Sequence, residues 1–396
     1  MAMLIKEKVA QAVQILQEYH VDCWITFARE TQINGDPTLP FLVAGDLTWH
    51  SAIIISSSGK KHAIVGRYDK KSVEDLGVYD EVVDFVEGIR PLFVPYMKKL
   101  NPARIAINYS QDSEICDGLT HGMYLTLYDM LSEIGFQDRL ISAEPVISAL
   151  RQRKSPTEIK YITEAIRQAE NILALTAKFI KPGRTEAEIA AFMKKKVEEA
   201  GLKLAWDPKV CPAVFTGPET AHAHYNPTLR TVQEGHVLNI DFGVKYEGYC
   251  SDLQRTFYIL AQGETRAPEE VQRGFDTIVQ AIEESRKALK PGARGHEIDA
   301  IARKIVTSQG YKEFPHGVGH QVGRFSHDGT ALLGPAWEKY AKKPFVPIEE
   351  NMVFTIEPRL TVPNRGTVTV EEMFVVKNSG AEFLSKPQKE LILIHS

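Results

Sequence analysis

The stretch VLNIDFGVKYEGYCSDLQRTFYIL, Val237 to Leu260, reads as two β-strands about a turn, with an aspartate in each strand among apolar residues. Asp241 follows Leu238-Asn239-Ile240, and Asp252 precedes Leu253. A second stretch has the same design: NMVFTIEPRLTVPNRGTVTVEEMFVVKN, Asn351 to Asn378, turns at Pro363-Asn364-Arg365-Gly366 and carries Glu357 and Glu371. Folding the first hairpin between Tyr246 and Glu247, and the second at Asn364, sets the acids of each pair opposite one another, give or take one residue for a bulge. Directly opposed side chains stand about 5 Å apart.

Two carboxylates that close repel, and burial makes the repulsion worse. The pair can share a proton, face solvent, or hold a cation. The flanks VLNI, VFTI and MFVV argue for burial, and so against solvent. A cation needs a further ligand, and FPHGVGHQVG supplies His316 and His320 between the hairpins, among glycines that allow close backbone approach. Four carboxylates and one imidazole balance two divalent cations, with a bridging hydroxide to complete the coordination. Oxygen-rich ligation with a single imidazole favours Mn²⁺, with Co²⁺, Fe²⁺ or Zn²⁺ as alternatives. Such a pair activates water and polarises a carbonyl.

Each hairpin follows one copy of an internal repeat. FIKPGRTEAEIAAFMKKKVEEAG and ALKPGARGHEIDAIARKIVTSQG align without gaps at an offset of 109, matching Lys181-Pro182-Gly183 to Lys290-Pro291-Gly292 and Gly201 to Gly310. Each copy reads as helix, Pro-Gly turn, helix, glycine stop, so this half of the chain is expected to be a duplicated helix-pair-plus-sheet unit. Its first helix has a clear start, with Ser155 as N-cap, Pro156 in the first turn and Glu158 closing a capping box. A domain boundary near residue 152 follows. Before it, VDCWITFA, SAIIISS, HAIVG and RIAIN read as strands alternating with helical segments, an α/β domain with a buried sheet.

A chain of 396 residues, 43% apolar and 25% charged, has the composition of a soluble globular protein and the length of two domains. Net charge is −4 without a long basic run, which argues against nucleic acid or an anionic membrane as partner. The first twenty residues carry Lys6, Glu7 and Lys8 and read as a surface helix, not a signal peptide. No apolar run reaches the roughly eighteen residues of a membrane span. Cys23, Cys116, Cys211 and Cys250 are scattered and read as reduced thiols in the cytoplasm, with Cys250 a packing residue.

The set IDFG, SDLQRT, HGVGH, TIEP and VEE resembles the M24 pita-bread metallopeptidases: prolidase, aminopeptidase P and methionine aminopeptidase. The resemblance spans the chain. It implies a creatinase/prolidase-like N-terminal domain over 1–152 and an α+β pita-bread catalytic domain with internal duplication over 153–396. It further implies a homodimer that hydrolyses the Xaa-Pro bond of dipeptides or short proline-containing peptides. The metal ligands would be Asp241, Asp252, His320, Glu357 and Glu371, with Asp241 on one metal, His320 and Glu357 on the other, and Asp252 and Glu371 bridging. Glu357 would also carry the proton. His224, seventeen residues before Asp241, matches a histidine that contacts the substrate, with His222 the nearby competitor, and His316 and His327 match two further substrate-site histidines.

Three positions depart from the pattern. Arg359 stands where the family commonly has glycine, Thr369 where an arginine often stands, and Ala331 where prolidases bind the proline carboxylate with arginine. Arg324 and Arg359 are the candidates to replace that last contact. The long segment TALLGPAWEKYAKKPFVP is a candidate cover for the site. The alternative function is a metal-dependent reaction other than peptide cleavage on the same scaffold, such as dimethylsulfoniopropionate lysis or hydrolysis of another amide or C–N bond. A metal-free binding module or creatinase-type hydrolase would have lost ligands that this chain retains.

Overall fold

The computed structural model describes residues 2–218 and 226–395. The chain divides into two compact units, Met1–Arg151 and Gln152–Ser396.

In the first unit helix α1 (Ala2–Glu18) leads into a mixed sheet of β1 (Cys23–Ala28), β2 (Ser51–Ser56), β3 (Lys61–Gly66), β4 (Glu81–Phe85), β5 (Ile105–Ile107) and β6 (Leu140–Ser142), ordered β4-β3-β2-β1-β5-β6. The helices α2 (Lys70–Glu74), α3 (Arg90–Leu100), α4 (His121–Ser132) and α5 (Glu144–Gln152) connect and cover it. Successive residues of β1 enter opposite cores. Cys23, Ile25 and Phe27 join Phe93, Met97 and Leu127 of α3 and α4, whereas Trp24 and Ala28 join Ile5, Val9 and Leu16 of α1. A sheet covered on both faces has no polar face to show, which is why its strands read as continuous apolar runs. The surface-helix reading of α1 needs one correction, because Lys8 is fully buried and donates to the Leu150 carbonyl at 2.5 Å. Its long stem lets it lie among apolar neighbours while its charge finds a carbonyl.

The second unit shows the duplication. Helices α6 (Pro156–Phe179) and α7 (Glu186–Glu199) precede β7 (Lys203–Leu204), β8 (Ala213–Thr216), β9 (Val237–Phe242), β10 (Val244–Tyr246), β11 (Tyr249–Cys250) and β12 (Leu253–Ile259). Helices α8 (Glu269–Ala288) and α9 (Gly295–Ser308) precede β13 (Gly319–His320), β14 (Leu332–Leu333), β15 (Val353–Ile356), β16 (Arg359–Val362), β17 (Gly366–Thr369), β18 (Glu372–Lys377), β19 (Gly380–Phe383) and β20 (Ile392–Ile394). The Pro-Gly turns match in conformation as well as in sequence, with φ of 86° at Gly183 and 88° at Gly292, values that glycine adopts without steric cost. Helix α6 begins as its sequence dictates. The Ser155 hydroxyl accepts from the Glu158 amide and the Glu158 carboxylate accepts from the Ser155 amide at 2.7 Å, a cap worth about 1 kcal/mol. Helix α8 turns Val271, Phe275, Ile278 and Ile282 inward, and α9 adds Ile298, Ala302 and Val306. They form one core with Phe354, Ile356, Val368, Val370 and Phe374 of the second hairpin. That core fixes the strands from which the acids project.

Candidate metal centre

The second hairpin has the register its turn implies. Ile356 pairs with Glu372 and Arg359 with Thr369, so Glu357 and Glu371 stand opposite one another at the gap between the β15/β18 and β16/β17 ladders. The first hairpin differs from expectation. Its loop is Glu247-Gly248, closed by the Tyr246–Tyr249 pair, with positive φ at both residues (48° and 82°), as in a two-residue type I′ turn. The register therefore sets Asp241 opposite Gln254 and not opposite Asp252. Asp252 lies two residues from Gln254, and the two-residue period of a strand returns it to the side of the ladder that carries Asp241.

The hairpins are joined at the site itself. Glu371 and Gln254 form an isolated antiparallel bridge, with the Glu371 amide donating to the Gln254 carbonyl at 3.1 Å. The glycine-rich loop then lies against β15. The Glu357 amide donates to the Val318 carbonyl at 2.7 Å, and the His320 amide to Thr355 Oγ1 at 3.1 Å. Gly319 permits that approach, because a Cβ there would stand 2.0 Å from the Thr355 carbonyl oxygen. A buried latch from α9 holds the same loop. Asp299 pairs with Arg303 at 2.8 Å and accepts from the Val318 amide, while Arg303 donates to the carbonyls of Phe314 and His316, each at 2.7 Å.

These contacts bring the proposed ligands together. His320 Nε2 lies 3.3 Å from Glu357 Oε1, 3.8 Å from Asp252 Oδ2 and 3.8 Å from Glu371 Oε1. Donor atoms of Asp252, His320 and Glu371 all fall within 4.8 Å of one another. His320 Nδ1 lies 3.3 Å from the Gln321 carbonyl, an acceptor that keeps the proton of the neutral ring on Nδ1 and leaves Nε2 to ligate.

The electrostatics are those of an uncompensated acidic cluster. Burial, then the charges of Asp252 and Glu357, push the Asp241 carboxyl well above its ordinary range, against a partial offset from Arg359. Burial and the charges of Asp252, Glu357 and Asp241 do the same to Glu371, against a partial offset from a hydrogen bond with the Gln254 side chain. Asp252 is raised to about 7 by burial, with Glu357 adding to the rise and His320 opposing it. Glu357 goes the other way. Burial raises it, but the hydrogen bond and charge of His320, with the charges of His316 and His327, outweigh burial and hold it low. Burial lowers His320, yet Glu357 and Asp252 carry it to about 8.

Asp241 Oδ1 and Glu371 Oε1 are buried polar atoms with no hydrogen-bond partner among the described residues. Buried carboxylate oxygens without a donor are costly, and a cation satisfies them. Four carboxylates and an imidazole are a donor set that fits hard to borderline divalent metals.

The other predicted residues divide. The His327 ring centroid lies 4.1 Å from that of His320, and both His327 and His316 act electrostatically on Glu357. Arg359 is half-buried, and its charge acts on Glu357 and Asp241. The Arg324 guanidinium instead lies over the Tyr249 ring, 5.3 Å from its centroid, at the hairpin turn. The Tyr249 hydroxyl donates to Glu158 at 2.9 Å. Cys250 is buried against the Ala205 and Arg324 carbonyls, a packing residue. From the long segment after the loop, the Tyr340 hydroxyl accepts from the Gly317 amide at 3.1 Å. His224 and His222 lie outside the described residues.

Sequence reasoning passed over Gln254 and Arg255, and noted Thr369 only as a departure from the family pattern. Gln254 Nε2 donates to Glu357 Oε2 at 3.0 Å, and Thr369 Oγ1 donates to Gln254 Oε1 at 3.1 Å. Arg255 donates to the Gln254 and Glu371 carbonyls, both at 2.9 Å, and pairs with Glu372. The available signal was strand period: Gln254 is two residues from Asp252, and Thr369 two from Glu371.

Residues 160–378 match the model of metallopeptidase family M24. A provisionally named Xaa-Pro aminopeptidase of Mycoplasma genitalium is 29% identical over 344 residues, 84% of this chain and 86% of its own length. Among solved structures, an X-Pro aminopeptidase from Thermotoga maritima superposes with a TM-score of 0.74 at 24% identity, covering 96% of this chain and all of its own. A Xaa-Pro dipeptidase from Bacillus anthracis gives 0.73 at 23% identity, covering 99% of this chain and all of its own. At such identities the structural likeness is one of fold, and it is the pita-bread fold expected from the motifs. Among the described residues no helix is long and apolar enough to cross a membrane.

Proposed function

The chain belongs to metallopeptidase family M24, and from that premise we propose that it hydrolyses the bond between a first residue and proline in dipeptides or short peptides. The observation that carries the reading is the convergence of Asp252, His320, Glu357 and Glu371 within hydrogen-bonding to near-contact distances, with Asp241 in the same electrostatic cluster. The names of the relatives, aminopeptidase and dipeptidase, support the Xaa-Pro class. Residues 1–152 act as the creatinase-like domain and 153–396 as the catalytic domain in this reading, and the family leads us to expect a cytoplasmic homodimer.

In this reading Asp241, Asp252, His320, Glu357 and Glu371 would hold the divalent cations, and Mn²⁺ is the metal we favour, ahead of Co²⁺, Fe²⁺ and Zn²⁺. When bound, the metals lower the pKa of water and polarise the scissile carbonyl. The chain's own residues do the rest. Glu357, kept ionised at neutral pH by its histidine neighbours, accepts a proton from the attacking water and delivers it to the departing proline nitrogen. His316 and His327 border the carboxylates and orient the peptide, with His224 as the sequence-based third. Arg359 meets the carboxylate that a dipeptide carries at its second residue.

The test is a panel of Xaa-Pro dipeptides, Xaa-Pro-Yaa tripeptides and Xaa-Ala controls on Mn²⁺-loaded protein, beside elemental analysis of bound metal. We expect two equivalents per chain and cleavage restricted to the proline series. Less than one equivalent, or no cleavage in either proline series, sinks the proposal.

A further inference from the structure

Gln254 lies within the acidic cluster. Its side chain meets Glu357 and also hydrogen-bonds Glu371, its carbonyl accepts from the Glu371 amide, its ladder partner is Asp241, and Asp252 precedes it by two residues. It is 8% exposed, so water does not compete freely for its amide.

The orientation of that amide follows from its neighbours. An ionised carboxylate only accepts, so the Gln254 nitrogen must face Glu357 Oε2. The amide oxygen then faces Thr369 Oγ1, and that hydroxyl must donate to it. Thr369 is itself fixed in place. Its amide donates to Thr256 Oγ1 at 3.2 Å, and its carbonyl accepts from Asn239 Nδ2 and Thr256 Oγ1, each at 2.7 Å. The chain Thr369–Gln254–Glu357 therefore has one direction, and reversing the amide would aim its oxygen at a carboxylate oxygen.

The two Glu357 oxygens are thus made unequal. Oε2 is engaged by Gln254 at 3.0 Å, and Oε1 is turned to His320 at 3.3 Å. We infer that Gln254, set by Thr369, is a positioning residue that reserves Oε2 of Glu357 and presents only Oε1 to the metal centre. The restraint has a mechanistic consequence. A glutamate that gave both oxygens to a cation would have neither left for a proton, whereas one engaged through Oε1 keeps Oε2 as an acceptor in a hydrogen-bonded chain. The inference rests on the metal-centre reading above and is tested separately from it.

The probe is Co²⁺, whose visible d–d absorption weakens as coordination number rises. Gln254→Met removes the donor at similar volume, Thr369→Val removes the hydroxyl, and Thr369→Ser restores it. With cobalt stoichiometry retained, Gln254→Met should absorb less per cobalt as Glu357 closes on the metal with both oxygens. Its kcat should fall roughly ten- to a hundred-fold, as for other residues that orient metal ligands, with KM nearly unchanged. Thr369→Val should shift the spectrum in the same direction by less, Thr369→Ser should match the parent, and the double variant should be no worse than Gln254→Met alone, because both act through one chain of bonds. An unchanged spectrum with only a lowered unfolding temperature in EDTA would make Gln254 structural and overturn the inference. So would additive effects, or a silent Thr369→Val. Failure of the unmodified protein to bind cobalt is a different result, and removes the metal centre itself.

Discussion

Asp241→Asn should stabilise the metal-free protein and destroy much of its response to metal. The native Asp241 carboxyl is raised well above its ordinary value by burial and by Asp252 and Glu357, and its Oδ1 has no donor among the described residues. At pH 8 that group costs folding free energy in either state. Ionised, it is a buried and repelled charge; protonated, it has taken up a proton that the unfolded chain would not hold. An amide carries neither penalty, and its N–H can serve a neighbouring carboxylate. Relieving an unsatisfied buried group is worth about 1–3 kcal/mol. A unit the size of Gln152–Ser396 gains about 2–4 °C per kcal/mol, so the variant should melt roughly 2–12 °C higher in EDTA. Metal acts by mass action. At a hundred times its dissociation constant a cation adds about 2.7 kcal/mol, or about 5–11 °C on the same scale. The parent should show that increment with Mn²⁺ and the variant most of its loss. Differential scanning calorimetry at pH 8, with EDTA and then with Mn²⁺, reads both. A lower EDTA melting temperature in the variant, or an undiminished Mn²⁺ increment, would refute the account of Asp241 as a carboxylate held in place for a cation.

Metal-free protein should lose stability as pH rises from 5.5 to 8.5. Asp252 at about 7 and His320 at about 8 both have folded values above their unfolded ones, so each contributes stability at low pH that is lost as pH climbs through the folded value; a flat or rising EDTA profile by calorimetry would contradict this. Gly319→Ala should cost about 3 kcal/mol, the upper range for overpacking, because the clash is with a backbone oxygen of β15 that cannot rotate away. Urea unfolding measures that cost, and metal content should fall with it as His320 is displaced. Arg359→Ala should raise KM for Xaa-Pro dipeptides by about ten- to a hundred-fold, the worth of one charged hydrogen bond, and spare tripeptides. Equal losses on both substrates would make Arg359 a support for Glu357 and Asp241 instead.

The repeat and the second hairpin were legible because their signals are local. A Pro-Gly turn between helices and a capping box at Ser155 act within a few residues, and the conformations of Gly183 and Gly292 agree with the match between the copies. The compact turn at Pro363–Gly366 leaves one good register for its arms, and that register sets Glu357 against Glu371. The first hairpin was misread by one turn position. A Glu-Gly pair between two tyrosines adopts a two-residue loop with both φ positive, moving the ladder by two residues and giving Asp241 a glutamine as its partner. Because the shift is even, the acids kept their face. An odd shift would have turned one of them away.

By itself the sequence determined which residues are acids, which segments bury them, and that two such segments follow two copies of one helix pair. It could not determine what lies between the hairpins. The Gln254–Glu371 bridge, the orientation of the Gln254 amide and the seating of Gly319 on β15 join residues far apart in the chain. No propensity or spacing encodes them, because the free energy that selects them comes from burying α8, α9 and the second hairpin in one core. Only when that core has closed do the carboxylates meet, and only then does burial make a cation their favourable partner.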